Sequence, residues 1–319
     1  MASKVVVTGG AGFIGSHLVE KLVEKNFNVT VIDNLFAGKK ENLKNVWKDI
    51  EFVKGNILDS KLLNSCFKDA DFVFHEAALR SVRVSVKKPV TYASVNILGT
   101  IKVLEAAKQQ NVKRVIYASS SSIYGNQKIF PVKEHFLPNP QNPYAASKAC
   151  AEQYCKMYSQ LFGLETIALR YFNVYGPRQD YLSEYGTIFP IFVNQLLHNK
   201  SPTIFGDGKQ ARDFTYVADV VEANWKAMRA SKKAVGESFN VCNGKTVSVN
   251  QVFSLISKAL GKTIQPNYVS VRAGEVQKTH GEPSKARKLL GLQCKMSFQK
   301  GLPKTVEWLK KEFFARDFR

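Results

Sequence analysis

The stretch Thr8–Gly15, TGGAGFIG, stands between a run of β-branched residues, Lys4–Thr8, and a stretch with helical periodicity, Ile14–Lys25. Glycines in such a turn allow a tight bend and let backbone N–H groups approach a diphosphate at the N-terminus of the following helix. The next predicted strand, Asn28–Asp33, ends on a carboxylate. A carboxylate there suits the two hydroxyls of an adenosine ribose and repels a 2′-phosphate. The pattern therefore predicts a site for NAD rather than NADP.

Short β-branched runs alternate with helical stretches through the first half of the chain. The predicted strands are Lys4–Thr8, Asn28–Asp33, Glu51–Lys54, Phe72–Glu76, Arg114–Ala118 and Glu165–Arg170. The predicted helices between them are Ile14–Lys25, Leu62–Phe67, Val90–Gln110 and Pro143–Phe162. Such alternation implies a parallel sheet covered on both faces. The predicted fold class is α/β, a Rossmann-type doubly wound parallel sheet with a smaller, sequence-discontinuous C-terminal substrate domain.

After Gly176 the pattern loosens into loops and isolated helices such as Ile188–His198 and Val249–Leu260. Between these helices, Thr215–Met228 and Ser238–Val241 have the pattern of a helix and a strand that return to the first sheet. We therefore expect one domain from residues 1–176, with 215–245 returning to it. Residues 177–214 and 246–319 are expected to form the second domain, with the ligand cleft between the two.

Composition excludes several classes of function. The chain has 319 residues, 45% of them hydrophobic, and a net charge of +20, but its lysines occur singly or in pairs, which indicates a solvated surface rather than a nucleic-acid site. No apolar run approaches the ~18–20 residues of a membrane span, and no signal-peptide pattern precedes the first strand. We expect a cytoplasmic protein without nucleic-acid or membrane partners. Its five cysteines are scattered, which predicts reduced thiols and no metal site.

A tyrosine and a lysine, Tyr144 and Lys148, lie four residues apart on one face of the predicted helix Pro143–Phe162. Free tyrosine has a pKa near ~10, so a phenolate at neutral pH needs a pKa about three units lower, which costs about 4 kcal/mol. A lysine ammonium one turn away and the positive charge of oxidised nicotinamide are two sources of that lowering. Upstream, the serine run Ser119–Ser122 ends an apolar strand. It places hydroxyls at the carboxyl edge of the sheet, where α/β folds bind ligands.

Together with His75–Ala78, Asn96 and Arg170–Arg178, these motifs resemble the extended short-chain dehydrogenase/reductase family, and within it the UDP-sugar 4-epimerases. The resemblance covers essentially the whole chain, with the motifs in family order. It implies NAD as cofactor, a UDP-sugar as substrate, and Ser120, Tyr144 and Lys148 as the catalytic residues. It also implies a homodimer in which the helices Val90–Gln110 and Pro143–Phe162 pair with their copies, and a second domain that binds the UDP-sugar.

The resemblance assigns further residues to each ligand. Those assigned to NAD are Gly9, Gly12, Phe13, Ile14, Gly15, Asp33, Asn34, Asn56, Ile57, Ala77, Asn96, Tyr144, Lys148 and Tyr171. Those assigned to the UDP-sugar are Ser81, Ser120, Ser121, Ser122, Asn173, Phe205, Arg212, Arg272, Glu275 and Thr279. Among the latter, Asn173 is expected at the phosphates and Phe205 at the uracil. Arg212 and Arg272 are expected to clamp the diphosphate, which their bidentate geometry suits.

Two positions depart from the family pattern. Asn56 stands where the family usually has an aspartate that bonds the adenine amino group. Glu76 is an unusual residue within the stretch His75–Ala78, and the sequence offers no physical reason for it.

The residues after the catalytic hydroxyl favour one reaction. Family members that dehydrate or decarboxylate sugars carry carboxylates there, because elimination next to a ketone needs a further acid and base. This chain has Ser121 and Ser122 instead, which favours epimerisation through a transient 4-keto sugar. By the same resemblance, Thr279 stands at a position that borders the sugar, where bulky aromatic residues are typical of epimerases restricted to plain hexoses. The serine run and the stretch Ala78–Arg83 resemble the UDP-N-acetylglucosamine 4-epimerase subgroup. We therefore expect UDP-N-acetylglucosamine and UDP-N-acetylgalactosamine as the favoured pair, with UDP-glucose and UDP-galactose in the same site.

Other interpretations stay open at this point. One is another sugar-nucleotide epimerase, such as a UDP-glucuronate 4-epimerase, or a dehydratase of the same family. An interpretation from a different class is a non-catalytic, NAD-sensing scaffold protein on the same fold, since fold does not prove function. Such a scaffold has no need of Ser120, Tyr144 and Lys148 together.

Overall fold

The computed structural model describes residues 3–181, 188–271 and 276–317. Its strands are β1 (Lys4–Thr8), β2 (Asn28–Asp33), β3 (Ile50–Lys54), β4 (Phe72–His75), β5 (Arg114–Ser120), β6 (Glu165–Tyr171), β7 (Val174–Tyr175), β8 (Thr203–Phe205), β9 (Ala211–Asp213), β10 (Thr215–Tyr216), β11 (Ser238–Val241), β12 (Thr246–Ser248), β13 (Asn267–Val269) and β14 (Lys278–Thr279). Its helices are α1 (Phe13–Glu24), α2 (Ser60–Phe67), α3 (Val82–Lys87), α4 (Pro89–Tyr92), α5 (Gly99–Gln109), α6 (Pro143–Phe162), α7 (Ile188–Leu197), α8 (Val217–Met228), α9 (Val249–Leu260), α10 (Ser284–Leu290) and α11 (Phe298–Asp317).

A parallel sheet lies at the centre of the described chain, with the strand order β11-β6-β5-β4-β1-β2-β3. Its neighbouring strands all pair in parallel. The chain moves outward from β1 to β3, then places β4 on the other side of β1 and moves outward again. This reversal leaves a crevice between the carboxyl ends of β1 and β4, where doubly wound folds bind ligands. The predicted α/β class with a Rossmann-type doubly wound sheet is confirmed.

The alternation of side chains along each strand builds a core on both faces of the sheet. In β1, Val5 and Val7 pack on one side and Val6 on the other. The first face is covered by α1, α8 and α10, and the second by α2, α5 and α6. Burying one such apolar side chain stabilises the fold by about 1.5–3 kcal/mol. Strands that are apolar on both faces are therefore stable only between two layers of helices.

A third core forms around α7, α9 and α11. Aromatic rings fill its centre, with Tyr175 stacked on Phe189 at 5.4 Å between ring centroids. Tyr175 of β7 and Tyr216 of β10 belong to this core and stand next to each other in register, so it adjoins the end of the sheet. Most of its residues come from the segments expected to form the second domain, whose boundaries stay a prediction.

The chain returns to the first sheet through α8 and β11, the segments that the sequence pattern indicates. β11 pairs in parallel with β6 and forms the outermost strand, and α8 packs on the same face as α1. The predicted helix Thr215–Met228 is corrected at its start, because Thr215 and Tyr216 pair with β7 as the strand β10. The helix itself begins at Val217.

The helix predicted at Val90–Gln110 is not regular. It begins at Pro89, a residue that suits the first helical position because it needs no N–H partner there. Residues Ala93–Leu98 then form a π-helical turn between α4 and α5. Such turns place one extra residue in the helix and are frequent at functional sites. Asn96 lies in this turn.

Three further findings concern membrane spans, cysteines and metal sites. No helix among the described residues is long and apolar enough to cross a membrane. Cys66, Cys150, Cys155, Cys242 and Cys294 are free thiols. Within the same described ranges, no group of three or more His, Cys, Asp or Glu side chains could hold a metal ion.

Candidate active site

The turn between β1 and α1 depends on its glycines. Gly9 has a φ of +73°, and a Cβ there would lie 2.7 Å from the backbone N of Ala77, which follows β4. A Cβ at Gly15 would lie 2.2 Å from the Gly9 carbonyl oxygen. α1 begins after Gly12, with no side-chain cap and no acidic residue in its first turn. Its first backbone N–H groups are therefore available to an anion such as a diphosphate.

The Asp33 carboxylate stands beside this turn at the end of β2. One oxygen accepts a hydrogen bond from the Ala11 N–H at 3.0 Å, and the other accepts one from the Leu35 N–H at 2.8 Å. Burial raises the pKa of Asp33, and the two backbone N–H groups oppose that rise. Each oxygen keeps a second lone pair, so the carboxylate can still accept ribose hydroxyls. Asn34 is exposed and closes the next turn, with its Oδ1 accepting from the Phe36 N–H at 3.0 Å.

The other residues predicted to bind NAD on this side of the crevice lie directly after β3 and in the first turn of α1. Asn56 follows β3, and its Oδ1 accepts from the Leu58 N–H at 3.0 Å, so it stabilises the local turn. Ile57 is buried. Phe13 and Ile14 form the first turn of α1 and are half-buried.

His75 joins three elements at the crevice. Its Nδ1 lies 2.7 Å from the Thr8 hydroxyl of β1, and its Nε2 lies 3.0 Å from the Thr100 hydroxyl of α5. Burial lowers the pKa of His75 to about 3, so the ring is neutral at physiological pH. Its two hydrogen bonds fix the end of β4, close to the contact between Ala77 and Gly9.

Asn96 holds the loop after β4 against α6. Its Oδ1 accepts from the Leu79 N–H, and its Nδ2 donates to the Leu79 carbonyl, both at 2.9 Å. The Nδ2 also donates to Ser147 Oγ at 3.0 Å. The side-chain amide of Asn96, a residue predicted to bind NAD, therefore forms these hydrogen bonds within the protein.

Tyr144 and Lys148 lie on the helix α6, at the carboxyl edge of the sheet. Asn142 caps its N-terminus and Pro143 occupies its first helical position, which fixes where the helix begins. Tyr144 therefore lies in the first turn and Lys148 one turn later on the same face. Ser120, the last residue of β5, lies within hydrogen-bonding reach of the Tyr144 hydroxyl.

The Lys148 ammonium is almost fully buried, with the residue 4% exposed. Its Nζ donates to the Ala118 carbonyl at 2.7 Å and lies 5.0 Å from the centre of the Tyr117 ring. Burial lowers the pKa of Lys148 to about 8, and the charge of Glu76 opposes the lowering.

The pKa of Tyr144 is raised by burial, while the hydrogen bond from Ser120 and the charge of Arg80 oppose the rise. The lowered pKa expected from the sequence is therefore absent in the protein by itself, because removing the phenol from water outweighs these two effects. A further positive charge close to the hydroxyl is needed for Tyr144 to act as a base near neutrality.

The serines of the predicted substrate site differ in the hydrogen bonds that they form with the protein. Ser120 Oγ accepts hydrogen bonds from the backbone N–H and the hydroxyl of Ser122, at 3.2 and 2.9 Å. Ser121 and Ser122 open a 3₁₀ turn directly after β5. Ser81 caps α3, with its Oγ accepting from the Val84 N–H at 3.3 Å, so its hydroxyl stabilises that helix.

Three predicted substrate residues meet where β14 lies beside β9. Asn173 Nδ2 donates to Thr279 Oγ1 at 2.8 Å and to the Asp213 carbonyl at 2.9 Å. Register pairs Thr279 with Arg212. Phe205 lies elsewhere, at the end of β8, and is half-buried. Arg272 and Glu275, the remaining two, lie outside the described residues.

Two contacts of the site were not anticipated. Arg80 forms an ion pair with Asp180 at 2.7 Å and acts on Tyr144, yet no local pattern distinguishes it from the other basic residues. Tyr171 donates its hydroxyl to Glu76 Oε1 at 2.7 Å. The sequence signal for Glu76 is a charge at the end of an otherwise apolar strand.

The arrangement combines a crevice that fits a dinucleotide with a half-buried phenol and hydroxyl and a buried ammonium. The family model described as "NAD dependent epimerase/dehydratase family" matches residues 5–242. The chain belongs to this family. The UDP-glucose 4-epimerase of Mycolicibacterium smegmatis is 38% identical over 312 residues, which cover 96% of this chain and 98% of that protein.

Solved structures of family members agree with this assignment. The UDP-N-acetylglucosamine 4-epimerase from Methanobrevibacter ruminantium, in complex with UDP-N-acetylmuramic acid, has a TM-score of 0.93 and 39% identity, with 98% of this chain and 100% of that chain covered. The UDP-glucose 4-epimerase of Thermus thermophilus, in complex with NAD, has a TM-score of 0.87 and 37% identity, with 96% and 99% covered.

Membership in the epimerase/dehydratase family confirms the predicted resemblance and the NAD cofactor. These relatives are UDP-sugar 4-epimerases, which are isomerases, so the predicted class of enzyme is confirmed. The glycine turn and Asp33 fit NAD, because the first leaves helix N–H groups open to the diphosphate and the second presents a carboxylate to the ribose.

Proposed function

We propose that this protein is an NAD-dependent UDP-sugar 4-epimerase that interconverts UDP-N-acetylglucosamine and UDP-N-acetylgalactosamine, with UDP-glucose and UDP-galactose as further substrates of the same site. The observation that carries the proposal is the placing of Tyr144 within hydrogen-bonding reach of Ser120, one helical turn from the buried Lys148. All three lie at the edge of the sheet that also carries the dinucleotide crevice.

In the proposed mechanism, Tyr144 accepts the proton of the sugar O4 hydroxyl. Ser120 donates a hydrogen bond to the same oxygen as it becomes a carbonyl, which favours the keto form. Bound NAD supplies the acceptor and donor of the C4 hydride. After the keto sugar has turned over, Tyr144 returns its proton to O4 and the configuration at C4 is inverted. Lys148, one helical turn from Tyr144, is expected to favour the phenolate through its positive charge.

Epimerisation is favoured over dehydration by the residues next to Ser120. Elimination of water needs an acid and a base besides the tyrosine. Ser121 and Ser122 supply hydroxyls in the 3₁₀ turn, and the Ser122 hydroxyl is bonded to Ser120. Neither is a carboxylic acid, so neither replaces the further acid and base that elimination needs.

The proposal for N-acetylated sugars depends on Thr279. Its short side chain lies beside Arg212 in register and contacts Asn173, the residue that we assign to the substrate phosphates. A small residue at this place leaves volume for the acetamido group at C2.

The remaining predicted roles complete the proposal. The residues named above for NAD hold the cofactor along the carboxyl ends of β1, β2 and β4. Arg212 binds the diphosphate and Phe205 contacts the uracil. The two-domain division with boundaries at residues 176, 214 and 245 belongs to the same proposal.

A panel of UDP-sugars tests the function directly. Purified protein is incubated with UDP-N-acetylglucosamine, UDP-glucose and UDP-glucuronate, and the products are separated by chromatography. We expect C4 epimers from the first two, with the N-acetylated sugar turned over faster. Epimerisation of UDP-glucuronate alone would overturn the substrate assignment. Formation of a dehydrated sugar would overturn the choice of reaction, and no turnover of any sugar by NAD-loaded protein would favour the scaffold alternative.

We propose in addition that the protein is a homodimer. Exposed apolar side chains lie on the helical segments expected to pair, among them Leu98 at 46% and Leu161 at 68% exposure. Large apolar side chains exposed on two long helices fit a contact with a second copy.

A further inference from the structure

A short segment that follows β7 contacts both walls of the cofactor crevice. Residues 177–181 continue the chain from Tyr175, which is buried in the third core. α1 follows β1 and forms one wall, and the loop after the neighbouring strand β4 forms the other. The mechanism above uses none of the residues 177–181. Their contacts therefore call for another explanation.

Arg178 and Pro177 fasten the segment to α1. Arg178 donates from Nη2 to Glu20 Oε1 at 2.6 Å and from Nη1 to Ser16 Oγ at 3.3 Å. The Pro177 carbonyl oxygen lies 3.0 Å from His17 Nε2. The side chains of Arg178 and Glu20 are largely shielded from water, so salt screens this ion pair only in part.

The backbone at Arg178 has an uncommon conformation. Its φ is +67°, in the left-handed region that residues with side chains rarely adopt. Such a conformation persists only while the surrounding contacts hold it. The segment should therefore relax away from α1 when the bonds of Arg178 are lost.

Asp180 connects the segment to the other wall. Its Oδ2 accepts a hydrogen bond from Arg80 Nη2 at 2.7 Å, and the two form an ion pair. Arg80 follows Leu79, whose N–H and carbonyl are both bonded to the Asn96 amide, so the loop after β4 is fixed at this point. The ion pair thus joins a segment fastened on α1 to the wall opposite α1.

Tyr181 extends these contacts to the loop after β2. The Lys39 ammonium lies 5.2 Å from the centre of the Tyr181 ring, and the Lys39 N–H donates to the Ala11 carbonyl of the glycine turn at 3.0 Å. The Tyr181 hydroxyl donates to Glu312 of α11 at 2.9 Å. Five consecutive residues therefore contact α1 and the loops after β2 and β4, the three elements that line the dinucleotide crevice.

We propose that residues 177–181 form a strap across the mouth of the crevice, and that Arg178 and Asp180 retain NAD by fastening the strap to opposite walls. With both ion pairs formed, β1, α1, the strap, the loop after β4 and β4 itself make a closed ring around the diphosphate site. NAD leaves after one of the pairs has opened. The proposal requires NAD in the crevice and does not depend on the proposed sugar substrate.

Exchange of NAD by the loaded protein tests the strap. Protein that carries NAD is mixed with an excess of ¹⁴C-labelled NAD, and the label bound to the protein is followed over time by filtration. Asp180→Asn should exchange NAD about two- to fivefold faster than the wild type, because an exposed ion pair contributes little. Arg178→Met should exchange NAD about tenfold faster, because it removes a more shielded pair and a second hydrogen bond.

The dissociation constant of NAD separates a strap from a binding contact. A strap hinders entry and release alike, so opening it raises both rates and leaves the Kd nearly unchanged. Equilibrium dialysis with labelled NAD measures this constant. A Kd that rises by the same factor as the exchange rate would show that these residues bind NAD or shape its site, and would overturn the proposal. Unchanged exchange in both variants would overturn it as well.

Glu237→Gln is the matched control. Glu237 pairs with Lys285 at 2.7 Å, the distance between Asp180 and Arg80, and is also partly exposed. It directly precedes β11, at the amino ends of the parallel strands and away from the crevice. Its exchange rate should equal that of the wild type. Faster exchange in this variant too would assign the effect to a general loss of stability and reject the strap.

Failure of the strap and failure of the proposed function are distinguishable. A protein that exchanges NAD as expected but epimerises no UDP-sugar contradicts the proposed function alone. A protein that epimerises UDP-sugars but shows wild-type exchange in both variants contradicts the strap alone.

Discussion

Tyr144 has to take up a proton and return it in each turnover of the proposed reaction, so it must start ionised although burial raises its pKa. Replacing Tyr144 with Phe removes the only ionisable atom that we place at the substrate hydroxyl and keeps the ring. Loss of a general base costs ~10²–10⁴-fold in rate. We expect the upper end, since the same group also returns the proton. The measurement is kcat on UDP-N-acetylglucosamine.

The control for Tyr144→Phe is its bound nucleotide, which is released by denaturation and quantified. A variant that carries as much NAD as the wild type is correctly folded around the crevice. Turnover within a factor of a few of the wild type would show that another group is the base.

Thr279→Tyr tests the sugar pocket. A Tyr ring would occupy volume that the acetamido group needs, and overpacking a fitted site costs about 1–3 kcal/mol, or roughly 5–150-fold in turnover. Activity on UDP-N-acetylglucosamine should fall much more than activity on UDP-glucose, which presents only a hydroxyl at C2. Both substrates are assayed with wild type and variant.

The structure supplies a matched control for this substitution. Thr279 Oγ1 accepts from Asn173, so Thr279→Val removes that hydrogen bond without adding bulk. We expect Thr279→Val to affect both sugars alike. Equal losses on the two sugars in Thr279→Tyr would exclude this residue from the choice of substrate.

At the level of the elements, a buried ion pair ties α6 to the sheet. Arg170 of β6 and Glu152 of α6 lie 2.6 Å apart, and Glu152 also accepts from the hydroxyls of Ser119 and Ser238. Breaking a buried pair leaves one charge without compensation and costs about 3–5 kcal/mol. Arg170→Met should lower the free energy of unfolding by that amount, as measured by urea denaturation.

The double variant Arg170→Met with Glu152→Met distinguishes charge from packing. It removes both charges, so a large part of the lost stability should return. A double variant that is as unstable as Arg170→Met would show that the shape of the arginine matters more than its charge. Because the pair lies on the helix of Tyr144 and Lys148, the single variant should also lose activity.

At the scale of the whole molecule, the proposed homodimer predicts twice the mass of the chain in light scattering at micromolar concentration. Leu98→Asp should dissociate it, because the substitution places a charge on the helical face that we expect to be covered by the second copy. Leu137→Asp changes an equally apolar residue, 83% exposed and outside these helices, and should leave the dimer intact. A monomeric wild type would reject the proposed dimer and leave the chemistry untouched.

The local sequence pattern by itself determined the bounds of several strands and helices and two motifs of the candidate site. The strands Lys4–Thr8, Asn28–Asp33 and Ser238–Val241 and the helices Pro143–Phe162 and Val249–Leu260 begin and end where the sequence predicts. Their signals lie within a few residues, such as the β-branched run of Lys4–Thr8 and, in Pro143–Phe162, an Asn-Pro start and a glycine directly after the last residue. The glycine turn that fits NAD is equally local, and so is the spacing of Tyr144 and Lys148.

Other features were decided by the tertiary structure. The π-helical turn at Asn96 involves contacts with Leu79 and Ser147, which are distant in sequence. The place of Thr279 beside Arg212 depends on the pairing of β14 with β9. Burial and remote charges shift the pKa values of Tyr144 and Lys148, and Glu76 accepts a hydrogen bond from Tyr171 of β6, which Asn224 of α8 contacts in turn. Electrostatic energies depend on distance and solvent exposure. Neither is fixed until the chain has folded.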